Sequence, residues 1–155
     1  MSSELPAVSA IHVALASRLP MRSVTHVEAE AGRGLVGDRY HGSRHRHVTV
    51  QSAEGLAAAA AELGRDIEPG HTRRNLTVSH GVVPTTPGSR LRIGTVDLEV
   101  VRVAAPCRLL DDVIGEGART ALRRRAGSVC RVVTSGSISI GDTVALLENG
   151  VTPTA

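Results

Sequence analysis

The stretch LRIGTVDLEVVRV, residues 91–103, decides the fold class. A Gly94-Thr95 turn joins Leu91–Ile93 to a longer arm in which Val96, Leu98 and Val100 alternate with Asp97 and Glu99, the period of a half-buried strand. Pro106 stops that arm, so Cys107 stands where a strand leaves its sheet. Working outward, Val8 to Ala16 and Val24 to Ala29 are short Val/Ile/Ala-rich runs and read as strands, as do His47 to Gln51 and Asn75 to Val78. Val129 to Val133, Ile138 to Ile140 and Thr143 to Leu147 close the chain, linked by Ser135-Gly136-Ser137 and Gly141-Asp142 turns. One strong helix interrupts them: Ser52 caps it, Glu54 lies in its first turn, an Ala-rich run reaches Leu63, and Gly64 ends it. Leu109, Leu110, Val113, Ile114, Ala118, Ala121 and Leu122 recur at helical spacing, but Gly115 and Gly117 weaken the middle, so a second helix is predicted over 117–126. Seven or eight short strands with about two inserted helices predict a mainly β, twisted sheet closed into a barrel, over residues 8–147, followed by a loose tail at 148–155.

Composition narrows function. The apolar content comes from 20 Val, 19 Ala, 14 Leu and 6 Ile, with no Phe, no Trp and one Tyr, Tyr40. Aromatic platforms for single-stranded nucleic acid and aromatic cages are therefore excluded, and no specific nucleic-acid partner is expected. The net charge is +3 and all 18 basic residues are Arg. Without Lys the chain cannot hold pyridoxal phosphate covalently, and P-loop Lys chemistry is excluded as well. Arg is instead a rigid fork suited to phosphate or carboxylate. No signal peptide and no long apolar run is present, so a soluble, cytoplasmic, membrane-free protein is expected, with Cys107 and Cys130 as reduced thiols.

Three segments carry candidate chemistry. Cys107, next to Arg108 at a sheet exit, reads as an accessible thiol beside a positive charge, equally compatible with a small apolar plug. Cys130, inside SVCRVV, reads as core. The loop AGRGLVGDRYHGSRHRH, residues 31–47, sets Arg33, Arg39, Arg44 and Arg46 among four glycines, the composition of an anion pocket or of a solvated loop. Its His41, His45 and His47, with Asp38, match no closed zinc spacing. Finally, Arg73-Arg74-Asn75 enters a strand and suggests a further anion contact, whereas Arg123-Arg124-Arg125 suits a helix end, solvent or a docking patch.

In order, GLVGDRY (34–40), HVTVQSAEGLAAAAAELG (47–64), TRRNLTVSHG (72–81), LRIG (91–94), Pro106-Cys107, Gly127 and SGSISIGDTVAL (135–146) resemble the MOSC family, named for the C-terminal domain of molybdenum cofactor sulfurases. Tyr40 stands where many relatives have His. The resemblance implies a barrel-like domain that binds a molybdopterin-type molybdenum cofactor, with Cys107 as metal ligand or sulfur carrier. Gly37, Asp38 and Arg39 would open the site, and Arg73, Arg74 and Asn75 would contact the cofactor. Arg108 and the 33–46 loop would add positive charge. Three functions follow as expectations: reduction of N-hydroxylated compounds at a Cys-ligated molybdenum with electrons from a separate reductase; transfer of sulfur, as a Cys107 persulfide, from a pyridoxal-phosphate-dependent cysteine desulfurase to a metal centre; or a passive cofactor-binding or partner-docking module.

Overall fold

The computed structural model describes residues 5–147; the predicted tail at 148–155 lies outside them. The chain runs β1 (Val8–Val13), β2 (Arg22–Val24), β3 (His26–Glu30), β4 (Gly34–Leu35), β5 (Val48–Ser52), α1 (Ala53–Leu63), a 3-10 turn (Pro69–Thr72), β6 (Leu76–Val78), β7 (Arg90–Ile93), β8 (Val96–Val103), α2 (Leu109–Val113), α3 (Ala118–Ala121), β9 (Ser128–Val132), β10 (Gly136–Ser139) and β11 (Val144–Leu147). Eight strands form one sheet in the order β11-β7-β8-β9-β5-β6-β1-β2, and β10-β3-β4 form a second, smaller sheet. The large sheet curls into a half-barrel. Ala7, just before β1, bridges Thr143, just before β11, and the Val144 N–H donates to the Pro6 carbonyl at 2.7 Å.

The hairpin of β7 and β8 forms in the expected register, with Ile93 opposite Val96 and Leu91 opposite Leu98. Val96, Leu98 and Val100 are buried, while Asp97 meets Arg92 and Glu99 meets both Arg90 and Arg131 on the outer face. Half-exposed ion pairs of this kind add little; the apolar side of the alternation is what fixes the pairing. Val27, Ala29, Leu35 and Ile138 of the small sheet join the same core as Ile11, Val50, Leu76 and Leu98 of the large one. Branched aliphatics fill most of it, with Ala29 and Cys130 as the small residues.

β5 and β6 are the parallel pair, and α1 crosses between them. Ser52 accepts the Glu54 N–H at 3.2 Å, and Gly64 turns left-handed (φ 80°), capping α1 as expected. Gly127 is constrained more severely. Its φ is 82°, and a Cβ there would lie 1.8 Å from the Val50 carbonyl oxygen, so only glycine lets the chain enter β9 this close to β5.

Two segments differ from the sequence reading. The run over 24–29 is not one strand: β2 pairs with β1 and β3 pairs with β10, so the chain changes sheets at Thr25. The helix predicted over 117–126 shortens to Ala118–Ala121, and a separate turn of helix forms at Leu109–Val113. Gly115 and Gly117, at φ 145° and 92°, break the path between them, and Arg124 at φ 64° ends it. Leu110, Ala118, Ala121 and Leu122 still pack on Leu56 and Ala59 of α1, which is what the apolar spacing recorded.

Candidate anion-binding site

Three segments distant in sequence meet at one place: the loop before β5, the Arg73–Asn75 entrance to β6, and the chain leaving β8 toward Cys107. Asp38 ties the first. Its Oδ1 accepts the Ala14 N–H (3.1 Å), the Asn75 Nδ2–H (3.2 Å) and the Arg39 Nη1–H (3.3 Å), and its Oδ2 accepts the Tyr40 N–H (3.3 Å). Asn75 ties the second. Its Oδ1 accepts the Thr49 N–H and hydroxyl, its own N–H donates to the Thr49 Oγ1, and Nδ2 also reaches the His12 carbonyl at 3.0 Å. Both side chains are buried, and their hydrogen bonds lie within the protein. They hold the site in shape rather than offering open donors to it. Gly37, left-handed at φ 88° and clear of neighbours, makes the turn that aims Asp38 inward and Arg39 toward Arg73.

On this frame four guanidiniums converge. Arg39 and Arg46 lie over the Tyr40 ring, 4.6 and 4.3 Å from its centroid. Arg39 Nη2–H donates to the Arg73 carbonyl at 3.3 Å. Arg74 is buried and ties the third segment, its Nε–H donating to the Ala126 carbonyl (3.1 Å) and its Nη2–H to the Ala105 carbonyl (2.8 Å). Burial first, then Arg46, pushes Arg74 down to about 10. Burial likewise lowers Arg46, and burial followed by Arg39 lowers Arg73. The Asp38 carboxylate opposes that lowering at Arg73, and Cys107 lies within electrostatic reach of both Arg73 and Arg74.

One carboxylate, Asp38, sits among these four cations, and it is already paired with Arg39 in a buried contact. Two buried donors, Arg46 Nε and Arg73 Nη2, have no partner. A buried N–H without an acceptor is costly. The arrangement therefore has both the charge and the unpaired donors to hold an anion, and Arg73, left-handed at φ 66°, ends the 3-10 turn where the chain enters the cluster.

The remaining candidates fall where their surroundings dictate. Cys107 is exposed and Cys130 fully buried, with burial pushing the Cys130 thiol up to about 12. Arg108 is exposed at the start of α2, so the guanidiniums acting on Cys107 are Arg73 and Arg74 from across the fold. Arg33 and Arg44 are exposed, outside the cluster. The three histidines separate: His41 pairs with Glu30 at 2.5 Å, His45 is exposed, and His47 is buried, accepting the Val132 N–H at Nδ1 and donating from Nε2 to the Ser43 carbonyl. Among the described residues no cluster of His, Cys, Asp and Glu could hold a metal ion. Arg123 and Arg124 line a cleft of about 500 Å³ with Pro106 and Arg119. The sequence reading treated Tyr40 only as a departure from relatives. Its flanking Arg39, in a chain with no other aromatic residue, was the available signal for a cation-lined ring.

Comparison with known proteins gives the fold its relatives. YuaD from Bacillus subtilis superposes with a TM-score of 0.78 at 19% identity, covering 91% of this chain and 94% of that one. YiiM from Geobacillus stearothermophilus gives 0.74 at 19% identity, over 94% of this chain and 77% of that one. YiiM from Escherichia coli gives 0.68 at 18% identity, over 94% and 70%. No curated protein matches. No helix among the described residues is long and apolar enough to cross a membrane. The model of the MOSC domain matches residues 37–145, from the glycine that opens the guanidinium cluster to the last strand of the half-barrel, and the chain belongs to the MOSC domain family.

Proposed function

We propose that this chain binds a molybdopterin-type molybdenum cofactor and reduces N-hydroxylated compounds with electrons from a separate reductase. The observation that carries the reading is the cluster of Arg39, Arg46, Arg73 and Arg74 facing one carboxylate, with two buried donors left without acceptors. A phosphate-bearing pterin offers the acceptors that Arg46 Nε and Arg73 Nη2 lack. Cys107, exposed and within electrostatic reach of Arg73 and Arg74, offers the sulfur ligand a soft metal favours.

When bound, the cofactor supplies two-electron redox chemistry at a metal. The protein's own residues do the rest. Arg39, Arg46 and Arg73 hold the anionic end, and Arg74 fixes the chain leading to Cys107 through the Ala105 and Ala126 carbonyls. Asp38 and Asn75 keep the guanidiniums in place. The net reaction takes two electrons and two protons per N–O bond broken, leaving the reduced nitrogen and water. The electrons come from the partner reductase.

The exposure of Cys107 also supports a second reading, in which its sulfur carries a persulfide received from a pyridoxal-phosphate-dependent cysteine desulfurase. Expression in a host that makes molybdopterin separates the two. Near-stoichiometric molybdenum and pterin, lost in Arg73→Ala and Cys107→Ala, is expected. Metal-free protein carrying a labile sulfur that Cys107→Ala removes would replace the enzyme by the carrier. Protein with neither property would overturn both readings.

A further inference from the structure

Arg73 has a second face. Its Nη1–H donates to the Leu19 carbonyl at 2.7 Å, and its side chain helps wall a cleft of about 590 Å³ between the turn after β1, the 3-10 turn and α2. This volume suits a small organic molecule. Across it stands His12 on β1, whose ring is packed so tightly against the 3-10 turn that a Cβ on Gly70 would lie 3.0 Å from it. His12 Nδ1, like Arg73 Nη2, is buried without a hydrogen-bond partner. Two buried polar atoms without partners thus belong to side chains lining one cleft.

The charges on its walls select a ligand. Arg18 and Arg73 face Glu68, and burial lowers the pKa of His12, with Glu68 opposing that shift and His71 adding to it. Apart from its two imidazoles, the cleft carries two guanidiniums and one carboxylate, a net single positive charge. Met21, Leu109 and Val113 give it an apolar side. Leu109 and Val113 belong to α2, which begins two residues after Cys107.

We infer that this cleft is a binding site for a small organic monoanion, its carboxylate on Arg73 and Arg18 and its apolar body against Met21, Leu109 and Val113. Arg18 and the part of the Arg73 guanidinium that lines the cleft take the carboxylate oxygens. His12 supplies a donor or acceptor to the ligand's remaining polar group, according to its tautomer. In making that monoanion a substrate, an N-hydroxylated acid presented beside Cys107, the inference rests on the function proposed above; ligand binding itself does not. Arg73 then divides its guanidinium between two neighbours, with Leu19 and the cleft on one side and the Arg39-Arg46-Arg74 cluster on the other.

Titration calorimetry on the full chain, made in a host lacking molybdopterin, tests this with benzoate as the probe and benzamide as its neutral counterpart. Saturable benzoate binding is expected, with benzamide at least about tenfold weaker. Arg18→Ala, at an exposed position, should weaken benzoate several-fold, and Val113→Trp, also exposed, should block the cleft. His12 imidazole resonances should shift on titration in the parent chain and not in Val113→Trp. Absent binding, equal binding of benzamide, or benzoate affinity unchanged in both variants would overturn the inference. Because the protein carries no cofactor in this experiment, such a result leaves the molybdenum measurement above to decide the proposed function separately.

Discussion

Asp38 and Arg46 lie within one loop and in one another's electrostatic reach, yet their surroundings are opposite. Around Asp38 and Asn75 each buried polar atom meets a complement, as three donors converge on one carboxylate oxygen and the Thr49 hydroxyl both gives and receives. Around Arg46 and Arg73 donors are buried without acceptors and like charges are crowded together. The difference separates scaffold from site. A polar group satisfied by the protein stabilises the fold, whereas one held unsatisfied beside its own kind is kept for something that arrives from outside.

The largest expected effect lies on the scaffold side. Asp38→Ala strands buried Ala14, Tyr40 and Asn75 donors and unpairs Arg39, so we expect a loss of about 3–5 kcal/mol in urea unfolding. A loss below about 1 kcal/mol would show that the network is not structural. Arg74 tests the boundary, since it belongs to the cationic cluster yet donates to two carbonyls. Arg74→Met is expected to destabilise by about 1–3 kcal/mol, chiefly the cost of leaving the buried Ala126 carbonyl unmet, measured the same way.

On the site side, Arg46→Met removes a cation whose Nε has no partner and relieves the repulsion on Arg74. Its unfolding midpoint in buffer should stay level or rise. The increase in thermal midpoint that inorganic phosphate gives the parent chain should largely disappear, reflecting a loss of about 1.5–3 kcal/mol in anion affinity. If Arg46→Met unfolds as readily as Asp38→Ala, the distinction between the two surroundings fails.

The smallest expected effect is a pH dependence at His47. Burial, above all, holds its pKa below 6.5, the Ser43 hydrogen bond working the other way and Arg131 adding to the lowering. Its Nδ1 accepts the Val132 N–H, a bond only the unprotonated nitrogen can make. With the folded pKa below the unfolded one, the unfolded chain takes up the proton first as pH falls. The stabilisation is complete above pH 6.5 and declines below it. His12, lowered mainly by burial, acts in the same direction. Chemical denaturation in steps from neutral to mildly acidic pH should show this decline, reduced in His47→Gln.

What the sequence revealed follows from which forces act locally. The β7–β8 hairpin was legible because its turn and its alternation lie within a dozen residues. Cys130 was legible for the same reason. The change of sheet at Thr25 was not, since the burial of Val24, Val27 and Ala29 reads as one strand whichever partners they take. Apolar spacing over 109–122 reported packing against α1 but not the positive φ of Gly115 and Gly117 that divides the helix. In the candidate site, the Arg-rich segments announced a gathering of guanidiniums. Nothing local distinguished Arg74, drawn away by the Ala105 and Ala126 carbonyls, from Arg73, one residue earlier, which keeps an open donor. Nor could sequence alone bring His12 against Gly70.

Tyr40 is the chain's only aromatic fluorophore, and it lies between Arg39 and Arg46. With no tryptophan present, tyrosine emission from the whole protein originates from one ring at the edge of the guanidinium cluster. An anion that draws either guanidinium off the ring changes the surroundings of every emitting group at once, with no signal from the remainder of the fold to dilute it. The molecule therefore contains a built-in optical reporter of its guanidinium cluster, and any anion that binds there can be followed in unlabelled protein by the emission of a single residue.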